Sequence, residues 1–202
     1  IIYDFSCRNI SELKQTFPCK ENYYLKFISI SKKGIYTSIN AALDLLKKKN
    51  YYIVIGAGDL IFFDSLKKIE IDKLLMCQYK LSNKKKNINS LRNIYSGMPY
   101  CHNAIIFKVN ELRYSNEYSI SSDYDYFLNF ISYEHINIFK NDYFNNQINV
   151  VFEAQNGVSY KSILKKNYEN LIILTRNLGL KYAIFYIILK IKKFIIGKND
   201  SY

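Results

Sequence analysis

The stretch from Met98 to Asn129, MPYCHNAIIFKVNELRYSNEYSISSDYDYFLN, constrains the chain more than any other. It opens on Pro99 and a His in Cys101-His102-Asn103, then runs through an apolar segment, Ala104 to Phe107, that predicts a strand. After a polar turn, Ser121 and Ser122 precede Asp123, and Phe127 and Leu128 follow it. A capping residue, acids in the first turn and an apolar face beyond them predict a helix start. A carboxylate there feels the positive end of the helix dipole, which favours its ionised form. Asp123 and Asp125 are then either caps alone, or one of them is a general base beside a cleft.

The rest of the chain has the pattern of an α/β protein. Tyr23 to Ile30 predicts a strand, and Ala41 to Lys48 a helix whose apolar positions Ile35, Ile39, Ala42, Leu43 and Leu46 extend back into the preceding segment. Tyr51 to Ile55 predicts a buried strand ending in Gly56-Ala57-Gly58-Asp59. Ligands of open α/β sheets lie at the carboxyl ends of strands, so Asp59 is a candidate metal ligand; a plain turn is the alternative. Phe63 to Leu74 predicts a helix, Met76 to Leu81 a strand, and Lys80 to Asn87 a basic loop or hairpin tip. Ile136 to Phe139 and Ile148 to Phe152 predict strands, and Tyr160 to Leu178 a helix. Helix, strand, helix, strand and later mixed strands argue for one mixed α/β sheet flanked by helices.

Two segments fit a known pattern. Pro99, Cys101, His102, Asn103 and then Ser122, Asp123, Tyr124, Asp125, Tyr126, Phe127 and Leu128 stand where glycosyltransferase family 2 enzymes of the GT-A fold read "P-x-C-H-Q" and "A-A-D-Y-D-F-L". Lys33, Gly34, Ile35, Tyr36 and Asn40 match "D-K-G-I-Y-D-A-M-N-x-G", with Thr37 for an Asp and Ile39 for a Met. The chain resembles the branch of that family that builds bacterial surface polysaccharides. The resemblance implies a nucleotide-binding (Rossmann-like) GT-A domain over 1–160 and makes Asp123 the base that deprotonates the acceptor hydroxyl. It puts Lys33, Gly34 and Asn40 at the donor and His102 in the donor–acceptor cleft. A lone His is otherwise a hydrogen-bonded structural residue. Asp4, one place past the family's nucleobase-binding Asp (where Tyr3 stands), takes that contact, and Asp59 holds Mg²⁺ or Mn²⁺ against the diphosphate, Gly58 replacing a second acid. Phe152, Gly157, Val158 and Ser159 fit a lid-like segment of the family. The family's first strand would precede Ile1, so a trimmed chain is expected.

Charge and cysteines bound the partners. Lys and Arg outnumber Asp and Glu by 29 to 17, a net charge of +12, which favours anionic partners, although a Lys-, Asn-, Ile- and Tyr-rich composition also follows from an AT-biased genome. The chain contains no recognised nucleic-acid-binding module, and none is expected as a partner. Cys7, Cys19, Cys77 and Cys101 are scattered without a C-x-x-C pair, so neither a zinc site nor a disulfide framework is expected, and a reducing cytoplasm fits. The tail over 161–202 ends in an apolar run, Leu180 to Ile196, carrying Lys181, Lys190, Lys192 and Lys193. It is too short an apolar stretch to cross a bilayer and predicts either an interfacial helix, on the inner face of the cell membrane, or a terminal core or dimer helix. The resulting expectation is an inverting transferase that moves a sugar from a nucleotide-diphospho-sugar to a saccharide or polyprenyl-linked acceptor. The competing expectation is a non-catalytic protein of the same fold that binds anionic membrane surfaces.

Overall fold

The computed structural model describes residues 2–3, 27–28, 34–56, 59–61, 72–81, 84–86, 91–137, 143–152 and 162–196. The chain divides into two compact units, Ile1–Leu46 and Lys47–Tyr202. In the smaller unit, β1 (Ile2–Tyr3) pairs parallel with β2 (Phe27–Ile28), and α1 spans Ile35–Leu43. The helix therefore starts six residues earlier than the sequence predicts and stops before Lys48. Gly34, with φ 140°, turns the chain into it, and the Gly34 carbonyl accepts both the Ser38 N–H at 3.1 Å and the Ser38 hydroxyl at 2.8 Å. At the other end Leu45 and Leu46 donate to the carbonyls three residues back, tightening the last turn and ending the helix.

The larger unit holds a six-stranded mixed sheet. β3 (Tyr51–Tyr52), β4 (Leu60–Ile61), β5 (Leu74–Leu81), β6 (Lys84–Lys86), β7 (Ile105–Lys108) and β8 (Phe144–Phe152) assemble in the order β3-β7-β5-β8-β4, with β6 folded back on β5. Pairing is antiparallel except between β5 and β8, which run parallel with a register shift after Cys77. Leu74, Leu75, Met76 and Cys77 are all buried, as are Ile105, Ile106 and Phe107. Continuous burial, without alternation, marks both strands as covered on both faces. Protein of mixed α/β class, as the sequence predicts, is what results.

Three expectations change. The predicted strand Tyr51–Ile55 keeps only its first two residues in the sheet, because Ile53 to Gly56 leaves to form a turn closed by Asp59. Lys84–Lys86 is a strand and not a loop: its residues pair with Tyr79–Leu81. Ile136 and Asn137 form no strand; α2, Ser122–Tyr133, ends just before them, and His135 at φ 50° turns the chain. The predicted helix Phe63–Leu74 lies outside the described residues as far as residue 71, and its last residue, Leu74, instead opens β5; the lid-like Gly157–Ser159 also lies outside them.

Helices cover the sheet. Phe127 and Phe130 of α2 are fully buried, and Phe130 meets Phe107 of β7 with ring centroids 5.0 Å apart. Behind α2 lie α3, Ile163–Leu178, and α4, Leu180–Ile196, joined at Gly179 with φ 97°. Tyr182 of α4 stacks at 4.6 Å on Tyr95, in the 3₁₀ segment Leu91–Ser96.

Candidate functional site

The turn after β3 is built around Asp59. Its Oδ2 accepts the Gly56 N–H at 2.8 Å, while the Asp59 N–H donates to the Gly56 carbonyl at 3.1 Å. The same Oδ2 accepts from the Asn103 side-chain amide at 2.5 Å. Gly56 is required by this closeness: a Cβ there would stand 3.0 Å from Asp59 Oδ2 and 3.5 Å from Asn103 Nδ2. Asp59 is thereby held against the Cys101-His102-Asn103 segment, which forms a short 3₁₀ turn, His102–Ala104, leading into β7.

Cys101 feels the charge of two carboxylates. Burial raises its thiol to about 12, with the charges of Asp59 and Asp123 adding to the rise. Asp123 therefore belongs to the same region as Asp59, although 64 residues separate them in sequence.

Asp123 stands in the first turn of α2, as predicted. Ser121 occupies the capping position, but its hydroxyl makes no cap bond; Asp123 Oδ1 instead accepts the Tyr124 N–H at 2.8 Å. Ser121 Oγ and Ser122 Oγ are buried without a partner. Burial lifts the Asp123 carboxyl from 3.8 to about 6, outweighing the Tyr124 N–H and the nearby Lys166, which lower it. The helix dipole expected from the sequence is present, yet loss of water dominates it. Asp125 points elsewhere: it accepts the Asn177 amide of α3 at 3.0 Å and so joins the two helices.

The loop before α2 is fixed by Glu169 of α3. Its carboxylate accepts the N–H groups of Ser119, Ile120 and Ser121 and the Ser119 hydroxyl, at 2.8 to 3.0 Å. Burial raises its pKa, and these bonds together hold it below the ordinary value. Sequence reasoning missed Glu169. The available signal was a polar pair, Glu169-Asn170, on the helical stripe that also carries the buried Ile173 and Leu174.

His102 is buried. Its Nε2 lies 2.7 Å from Tyr114 Oη, and burial lowers its pKa to about 4, so the ring is neutral at pH 7. Tyr114 stacks on Tyr126 of α2 at 4.1 Å and meets Tyr52 Oη at 3.1 Å. His102 thus ties β3, β7 and α2 together through Tyr114 and Phe107, the arrangement of a hydrogen-bonded structural residue.

The other predicted residues divide. Gly34 and Asn40 lie in the smaller unit, at the start and on the body of α1, and their geometry is that of this unit alone. Asp4 and Lys33 lie outside the described residues, as does Gly58. Among the described residues no group of three His, Cys, Asp or Glu side chains could hold a metal ion. The donor set is one carboxylate, Asp59, aligned by two N–H donors. That suits Mg²⁺ or Mn²⁺ where a ligand diphosphate completes the coordination, since Mg²⁺ is commonly held by one or two carboxylates plus phosphates and water. Cys77 and Cys101 are free thiols. No helix among the described residues is long and apolar enough to cross a membrane.

No protein-family model matches the chain, and no curated protein matches it.

Proposed function

We propose that the chain is an inverting glycosyltransferase of the GT-A fold, acting on a nucleotide-diphospho-sugar and the hydroxyl of a saccharide or lipid-linked acceptor in surface-polysaccharide synthesis. The observation that carries this reading is Asp59, held at a strand end by the Gly56 N–H and the Asn103 amide, together with Asp123 in the first turn of α2, whose carboxyl burial raises to about 6. A base poised near the working pH combines a large ionised fraction with useful basicity.

In this reading Asp123 takes the proton from the acceptor hydroxyl. The oxygen forms a bond to the anomeric carbon as the bond from that carbon to the diphosphate oxygen breaks on the opposite face, and the nucleoside diphosphate leaves as an anion. Asp59 would hold Mg²⁺ or Mn²⁺ with the diphosphate; when bound, the metal neutralises charge on the leaving group. Glu169 keeps Asp123 at its height by fixing Ser119 to Ser121.

The test is calorimetric titration of uridine, guanosine, cytidine and thymidine diphosphates with and without Mn²⁺, on the native chain and on Asp59→Ala. Metal-dependent binding of one nucleotide, lost in the variant, is the expected result. Binding of none would reject the transferase and leave the non-catalytic protein of this fold as the reading.

A further inference from the structure

The last helix, α4, has two apolar faces and only one of them is covered. On the covered face Ala183 and Tyr186 are buried, and Tyr186 Oη donates to Asn167 Oδ1 of α3 at 2.8 Å and accepts from the Asn170 amide at 3.3 Å. Together with the Tyr95–Tyr182 stack, these contacts set the rotation of the helix. The opposite face presents Leu180, Ile184, Ile188, Ile191 and Ile195, spaced four, four, three and four residues apart, with Phe194 beside them. Their exposure runs from 50% for Ile184 to 87% for Phe194. At 1.5 Å per residue the row is about 22 Å long. Contiguous apolar surface on this scale marks an interaction site.

Charge identifies the occupant. At 100° per residue, Lys181 and Lys192 border one edge of the row, whereas Lys190 falls between Ala183 and Tyr186 on the covered side. Lys181 Nζ lies 4.8 Å from the centre of the Tyr182 ring and Lys190 Nζ 4.9 Å from that of Tyr186, so both stems lie along aromatic surface. The helix contains no Asp or Glu. A second copy of the chain laid on this face would bring lysines toward lysines with no acid on either helix to answer them. An anionic bilayer meets both features at once: the aliphatic row enters the acyl boundary, and the ammonium groups at its edge reach lipid phosphates.

We infer that the outer face of α4 docks flat on an anionic lipid bilayer, Ile184, Ile188 and Ile191 entering it and Lys181 and Lys192 meeting the headgroups. This goes beyond the transferase reading and does not depend on it. The experiment is flotation of the full chain with vesicles of phosphatidylcholine alone and of phosphatidylcholine mixed with phosphatidylglycerol. The chain floats with the mixed vesicles, its partition at least about tenfold stronger than on the neutral ones and weakened by salt. Lys181→Gln with Lys192→Gln removes about tenfold of the partition on anionic vesicles alone. Ile188→Ser with Ile191→Ser removes about tenfold or more, with circular dichroism verifying that the helices persist. Failure to float, equal partition on both vesicles, or a dimer in sedimentation that the two Ile→Ser changes dissolve would each overturn the inference. Nucleotide binding is not read in this assay, so its outcome leaves the transferase reading to its own test.

Discussion

Glu169 and Ser121 are joined end to side across two helices: the Glu169 Oε2 in the middle of α3 accepts the Ser121 N–H at 2.8 Å, one residue before α2 begins. The neighbouring N–H groups of Ile120 and Ser119 bind the same carboxylate. A buried acid on one helix therefore does the work of a cap for the next, and it does so two residues from Asp123.

Glu169→Ala removes the acceptor of two buried backbone N–H groups, those of Ile120 and Ser121, and of the exposed Ser119 N–H, which water can reach. Each unsatisfied donor costs about 1–3 kcal/mol where water cannot replace the partner, so a loss of roughly 3 kcal/mol or more is expected in urea unfolding. Glu169→Gln keeps an acceptor oxygen and should lose less. Because bonding lowers the pKa of Glu169 in the folded state, its stabilisation is complete above the unfolded value, about 4.3, and disappears as the pH falls through the lower folded value.

Asp123→Asn keeps the shape of the side chain and removes the base. Transfer should fall by about 10²–10⁴ while the affinity for the nucleotide diphosphate stays within twofold of native, about what a residue outside donor binding allows. In the native chain kcat/KM should rise with pH to a plateau, with a midpoint at about 6, since only the deprotonated carboxylate accepts the proton. A variant with full turnover, measured by release of nucleoside diphosphate, would remove Asp123 from this role.

Much of this was legible in the chain because each signal was local. The strand before the polar turn, the helix head at Ser121–Asp123 and the extent of α4 follow from periodicity and capping residues within a few positions. What the sequence could not show depends on distant partners. Asn103 binding Asp59, Glu169 binding Ser121 and Tyr114 binding His102 join residues 12 to 48 positions apart. The Asp123 pKa is a further case: the dipole is readable from the helix start, but the burial that overrides it comes from packing around α2. The helical spacing from Ile35 was legible, and α1 does begin there, directly after Gly34 at its capping position, six residues before the expected start at Ala41.

Gly56→Ala tests whether the Asp59 turn matters for metal. The new methyl would stand 3.0 Å from Asp59 Oδ2, tighter than an ordinary contact, so the carboxylate must shift by a few tenths of an ångström from the position in which it accepts from the Gly56 N–H and Asn103. Mn²⁺-dependent nucleotide binding should weaken about tenfold, the order of effect seen when groups orienting a metal ligand are lost, while metal-free binding is unchanged. Asn103→Ala, which removes one of the two donors and adds no clash, should produce the same change to a smaller degree. Equal loss with and without Mn²⁺ in either variant would mean that the turn shapes the pocket and not the metal site.

His102 and Asp123 should pull stability in opposite directions over nearly the same pH range. Burial lowers His102 from 6.5 to about 4, so the unfolded chain takes up a proton first and His102 costs stability as the pH falls from about 6.5 to 4. Burial raises Asp123 from 3.8 to about 6, so the folded chain holds its proton longer, and Asp123 costs stability as the pH rises from about 4 to 6. At 1.36 kcal/mol per pH unit each effect is on the order of 3 kcal/mol, and in the native chain they largely cancel. Single substitutions uncover them. Relative to the native chain, Asp123→Asn should gain stability between pH 4 and 6, and His102→Gln, which keeps a polar atom near Tyr114 Oη, should gain it as the pH falls from 6.5 to 4. Urea titrations of the three proteins at half-unit pH steps would show two difference curves of opposite slope; parallel curves would mean that neither group is buried in solution as it is here.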